Sequence, residues 1–276
     1  MLVIKDIKNF DLENTITCGQ IFRFEKLDDN SFNVIISDRV INLKCENNIL
    51  YIDSNKEENL ESIIREYLDL DRNYINIIND IKSMDSKLGK CLDDSVGLKM
   101  IKQKPIECIV SYVISQNNSV RNIQNSLNLI SKKYGEKVKF KDREYYLFPS
   151  LEKLLNITEE EFRECKVGFR DKYLVGIIKD INDKKLDIDK IYEMNSVDAI
   201  NYLINFKGIG MKVASCILLF AYQKFDVYPV DTWVKKFMLE DYGIEGEANI
   251  RKFASETYKQ YSGLAIQYMF NSKRNK

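Results

Sequence analysis

Lys207-Gly208-Ile209-Gly210-Met211-Lys212-Val213-Ala214-Ser215-Cys216, followed after an apolar run by Tyr228-Pro229-Val230-Asp231, is the stretch whose reading decides the fold. Upstream, Ala199, Ile200, Leu203 and Ile204 recur at helical spacing, and Asn195 or Ser196 is placed to cap them. Downstream, Val213, Ile217, Leu218 and Phe220 mark the buried face of a second helix. The Gly208-Ile209-Gly210 turn between them is a glycine hairpin. Such a turn exposes backbone N–H groups, and the helix start that follows adds a positive field. Both favour a phosphate chain without reading any base. On the turn alone, a plain helix–helix connector explains the pattern equally well.

Lys212 falls in the first turn of the second helix. Most helical lysines are simply solvated. Here a positive helix end and an apolar wall disfavour the ammonium form, which frees the amine to act as a nucleophile. Cys216, four residues on, shares its helix face, although a buried small hydrophobe is the ordinary state of such a cysteine. Asp231 reads as the N-cap of a helix opened by Thr232-Trp233-Val234-Lys235. A carboxylate fixed by backbone amides can cap and catalyse at once. Beside a turn fit for a phosphate chain, Lys212 and Asp231 make a candidate catalytic pair.

Bulk properties narrow the chemistry further. The 276 residues are 45% hydrophobic and 30% charged, with a formal net charge of zero. A sequence pI of about 6.5 does not advertise a nucleic-acid binder, but a local basic face suffices. Histidine is absent, which removes Ser-His and Cys-His catalysis. The six cysteines show no C-x-x-C spacing, so neither a zinc nor an iron–sulfur framework is expected. They read as reduced thiols of a cytoplasmic protein, and no apolar run is long enough to span a membrane.

Outward from the hairpin, residues 1–55 look like strands. Phe32-Asn33-Val34-Ile35-Ile36, Val40-Ile41-Asn42-Leu43-Lys44-Cys45 and Asn48-Ile49-Leu50-Tyr51-Ile52 carry it, with polar breaks between them. From about residue 57 the rhythm becomes helical. Pro105 suits the first turn of a long helix, whose pattern is interrupted at Ser115-Gln116-Asn117-Asn118-Ser119 and resumes from Val120. Thr158 and Glu161 have capping-box spacing, and Gly168 sits in the place of that helix's C-cap. Asn271-Ser272-Lys273-Arg274-Asn275-Lys276 reads as a short basic tail.

Taken in order, these motifs resemble the 8-oxoguanine DNA glycosylase/AP lyase family of the helix–hairpin–helix base-excision superfamily. The hairpin with Asp231 is similar to the superfamily signature. Cys18-Gly19-Gln20-Ile21-Phe22-Arg23 is similar to the family's S-G-Q-x-F-R motif. Pro105-Ile106-Glu107-Cys108 leading to Asn117 is similar to its P-I-E-C…NNN helix. Gly168-Phe169-Arg170 lies where the family has G-[YF]-R, and residues 261–270 are similar to its last helix. The resemblance runs from Thr17 to Phe270.

It implies an α+β fold: a small antiparallel sheet domain, a helical domain bearing the hairpin, and the active site in the cleft between them. The division expected is 1–104 and 105–276. It further implies a bifunctional glycosylase/lyase acting on duplex DNA that contains 8-oxoguanine, with no cofactor and no metal. Lys212 would be the nucleophile and Asp231 its electrostatic partner. Gly19 would read the lesion's N7–H while Cys216 and Phe270 sandwich the base. Asn117, Phe169, Arg170 and the hairpin glycines Gly208 and Gly210 would hold the DNA, with Arg170 near the orphan cytosine. A monomer in the prokaryotic cytoplasm, associated with the nucleoid, is expected. Ile266 stands where the family usually has a glutamine, with Gln267 one residue later. Asn122 replaces an arginine of some members and Trp233 a histidine of others. The rivals are a glycosylase of the same superfamily for an alkylated purine, and a DNA-binding module without chemistry.

Overall fold

Strands β1 (Leu2–Ile4), β2 (Phe24–Lys26), β3 (Phe32–Ile36), β4 (Arg39–Glu46) and β5 (Ile49–Ser54) form one antiparallel sheet in the order β1-β5-β4-β3-β2. The computed structural model describes residues 1–274, so Asn275 and Lys276 of the basic tail lie outside the described residues. Register follows the two-residue period: Phe32, Leu43 and Ile52 lie abreast across β3, β4 and β5, and all are buried. Burying each such side chain contributes roughly 1.5–3 kcal/mol. Asn47 and Asn48 both adopt left-handed backbone at the β4–β5 turn, as a tight hairpin requires.

The reading of 1–55 as strands alone is corrected by a helix at Leu12–Thr17. Asp11 caps it by accepting the Asn14 N–H, and Leu12, Thr15 and Ile16 are buried against the sheet side. A six-residue helix rich in β-branched residues has no periodicity long enough to read.

Helices fill the rest. Pro105–Ile114 starts at its proline and ends before the polar junction, and Ser119 caps Val120–Tyr134 by accepting the Asn122 N–H. A second hairpin, β6 (Lys137–Phe140) with β7 (Arg143–Tyr146), was not anticipated. The Thr158–Glu161 capping box is formed, with both reciprocal bonds present. Gly168 is not the C-cap of that helix. The cap is Cys165, the left-handed residue after it is Lys166, and Gly168 instead opens a 3-10 turn.

Two apolar clusters result. One backs the sheet, and the other runs through the helices from Tyr74 to Met269. Tyr74, Ile77, Ile81, Leu88 and Leu92 belong to the helical cluster although they precede Pro105.

The C-terminal segment is a helix through Arg274 rather than a tail from Asn271. Asn271 and Ser272 are buried: the Asn271 amide donates to Ser95 Oγ at 3.1 Å, and Ser272 Oγ donates to Asp94 at 2.7 Å. Gly263 lets this helix close on the 225–227 segment, because a Cβ there would stand 2.5 Å from Leu219 Cδ1. Among the described residues no helix is long and apolar enough to cross a membrane.

Candidate active site

The hairpin sets Lys212. Gly208 has φ +98°, and a Cβ would lie 2.6 Å from the Tyr173 ring, so only glycine permits this approach. Gln116 Nε2 donates to the Gly208 carbonyl at 2.9 Å, tying the turn to the polar junction of residues 115–119. Gly210 is the N-cap of the helix Met211–Tyr222, and no side chain caps that helix. Its first-turn N–H groups are therefore open to an outside acceptor.

Lys212 Nζ lies 3.4 Å from Ser115 Oγ and 5.6 Å from the centroid of the Tyr112 ring. Asp231 caps the next helix, Thr232–Tyr242, with Oδ1 accepting the Val234 N–H at 2.8 Å. Its second oxygen is left to the cleft. The Tyr228-Pro229-Val230 lead-in is pinned by Arg251, whose guanidinium donates to the Tyr228 carbonyl at 3.0 Å.

Lys212, Ser115, Tyr112 and Asp231 line one cleft of about 540 Å³, together with Cys18, Gly19, Phe22, Asn117, Cys216, Trp233, Ile266, Gln267 and Phe270, while the hairpin glycines Gly208 and Gly210 lie outside its lining. Burial pushes the Cys216 thiol above its ordinary value, with Asp231 adding to the shift and the Lys212 ammonium opposing it. A protonated, apolar sulfur suits packing against a ring. Phe270 meets Trp233 edge-on at 5.3 Å, and Trp233 stacks on Phe237. That aromatic row braces the part of the cleft wall formed by Trp233 and Phe270.

Gly19 has φ +85° and sits at the cleft because its neighbours are bolted down. Gln20 donates to the Lys99 carbonyl at 2.7 Å and accepts the Ile101 N–H at 2.8 Å. Gln267 Nε2 donates to the Cys18 carbonyl at 3.0 Å. Gln20 and Gln267 are thus supporting residues whose part in the site the spacing did not reveal. Gln267 is tied to the loop by that bond and lines the cleft beside Ile266, the apolar residue that stands where the family usually has a glutamine.

Asn117 and Phe169 are exposed, Asn117 with φ +47° and Phe169 against Tyr173. Arg170 is buried, and its guanidinium donates to the carbonyls of Gln116, Asn117 and Val167, which holds the Asn117 turn in shape. Burial lowers its pKa. Among the described residues no group of three or more Cys, Asp or Glu side chains is arranged to hold a metal.

The family model for the 8-oxoguanine DNA glycosylase N-terminal domain matches residues 2–109, and that for the HhH-GPD superfamily of base excision DNA repair proteins matches 110–260. The chain belongs to the 8-oxoguanine DNA glycosylase family. An 8-oxoguanine glycosylase/lyase from Clostridium acetobutylicum, solved with duplex DNA containing cytosine opposite 8-oxoguanine, is 35% identical. The two superpose with a TM-score of 0.95 over 99% of this chain and 94% of that one. The N-glycosylase/DNA lyase OGG1 of Arabidopsis thaliana is 26% identical over 93% of this chain and 75% of its own. A 3-methyladenine DNA glycosylase from Archaeoglobus fulgidus, at 21% identity and a TM-score of 0.84 over 99% of both chains, shares the fold. The family thus accounts for the sheet, the hairpin and the cleft together.

Proposed function

We infer that the chain is a bifunctional DNA glycosylase and AP lyase that removes 8-oxoguanine from duplex DNA in base excision repair. The observation that carries the reading is the convergence of Lys212, Asp231, Gly19, Cys216 and Phe270 on one cleft. The lesion leaves the helix and enters that cleft, where Cys216 and Phe270 cover its faces. Gly19 offers its carbonyl to the N7–H that 8-oxoguanine has and guanine lacks. With guanine the carbonyl stays unpaired, at a cost of about 1–3 kcal/mol.

The Lys212 amine attacks C1′, and the glycosidic bond breaks with its electron pair going to the departing base, which takes up a proton. Opening of the sugar gives a Schiff base on Lys212. Loss of a C2′ proton then expels the 3′ phosphate by β-elimination. Asp231 stabilises the positive charge developing on the sugar and takes part in the proton transfers. The open amides of the hairpin hold a phosphate, while Asn117 and Phe169 fill the gap left in the duplex. The protein works as a monomer on nucleoid DNA in a prokaryotic cytoplasm, a compartment in which cysteines stay as thiols.

Duplexes with single lesions, incubated with the protein and borohydride, test this. An adduct on the 8-oxoguanine duplex that is lost in Lys212→Gln is the expected result. Base release without an adduct would instead favour the water-activating alkylpurine glycosylases, and binding without turnover on any lesion a DNA-binding module.

A further inference from the structure

We propose that Tyr112 is a positioning residue that couples the Lys212 amine to the base-reading loop around Gly19. The inference rests on the glycosylase reading above and extends it to a residue outside the pocket's reacting groups. Tyr112 lies on the helix Pro105–Ile114 and is buried. Its ring stacks on Phe220 at 5.3 Å with planes 9° apart, and Phe22 meets it edge-on at 5.8 Å. The ring therefore cannot turn. The Lys212 ammonium lies 5.6 Å from its centroid, within range of the attraction between a cation and a ring face.

The backbone of the same residue adds a second hold. Ser115 Oγ donates to the Tyr112 carbonyl at 2.7 Å, which leaves that oxygen's lone pairs for the lysine 3.4 Å away. At the far end of the ring, the Tyr112 hydroxyl donates to the Gln20 carbonyl at 3.1 Å. Burial pushes this phenol well above its ordinary value, so it keeps the proton it donates. Gln20 follows Gly19 directly. One side chain thus touches the nucleophile with its ring and the lesion-reading loop with its hydroxyl.

The two ends separate by substitution. A duplex with a preformed abasic site reports the lysine alone, because no base has to be read. An 8-oxoguanine duplex reports both ends. Tyr112→Phe keeps the ring and deletes the hydroxyl. It is expected to trap the abasic site at nearly the wild-type rate while base release in single turnover slows about fivefold, the worth of one hydrogen bond. Tyr112→Leu removes the ring and is expected to slow abasic-site trapping about tenfold or more.

Equal slowing on both substrates by Tyr112→Phe overturns the proposal, since a merely structural residue acts that way. So does wild-type abasic trapping by a folded Tyr112→Leu. Should Tyr112→Leu not fold, the two-substrate comparison on Tyr112→Phe decides alone. Failure of the wild-type protein to form an adduct on either duplex would overturn the glycosylase reading itself, which is a different outcome.

Discussion

Adjacent residues on the terminal helix, Ile266 and Gln267, take separate parts at the pocket. A one-residue step turns a side chain about 100° around the helix. Gln267 therefore reaches back to the Cys18 carbonyl, and Ile266 adds an apolar side chain to the cleft that both residues line. Ile266→Gln is expected to change the excision ratio of 8-oxoguanine to guanine by about fivefold or more, because it introduces a hydrogen-bonding partner into a closed wall. Single-turnover rates on both bases measure it, and an unchanged ratio would mean that this wall does not read the base. The motifs that carry Lys212, Asp231, Gly19, Cys216 and Phe270 are far apart in sequence, and all five residues line one cleft. Tyr112, Ser115, Gln20 and Gln267 act by touching residues far away in sequence, and no spacing encodes that. Arg170 has a contact of the same kind: from a motif position it donates to the Gln116 and Asn117 carbonyls and braces their turn.

At the scale of elements, the hairpin depends on one glycine more than the other. Gly208 has positive φ and no room for a Cβ beside Tyr173, whereas Gly210 has φ −88° and nothing within 4 Å of a Cβ. Gly208→Ala is expected to lower stability by about 2–4 kcal/mol, from strain and overpacking together. Gly210→Ala is expected to leave the melting temperature nearly unchanged. Thermal denaturation of the two variants checks this, and similar losses in both would contradict it. Elements with their own local signals are legible in the sequence: Pro105 at a helix start and the Thr158–Glu161 box. Short elements are not. The Leu12–Thr17 helix is too brief to show a period. In the β6–β7 hairpin, Lys137-Val138-Lys139-Phe140 alternates over only four residues before the turn at Lys141-Asp142. The true left-handed residue at 166 is a lysine, a type that glycine-based reading of helix ends does not flag.

At the scale of the whole molecule, the cleft is closed by bringing both ends of the chain together. The terminal helix is bonded to Cys18 through Gln267 and to Ser95 through Asn271, so Phe270 shares one cleft with Gly19 and Lys212. The fold class was legible because the change from two-residue to helical periodicity marks it. The packing of residues 74–92 into the helical cluster was not, since periodicity names a buried face without naming its partner. The central claim is that this assembly exists to aim one amine, that of Lys212, at C1′ of a damaged nucleotide. The most direct measurement is mass spectrometry of peptides from the borohydride-reduced complex with an 8-oxoguanine duplex. The account expects the sugar remnant on the peptide containing Lys212. A remnant on another lysine, or base release with every lysine unmodified, would contradict it.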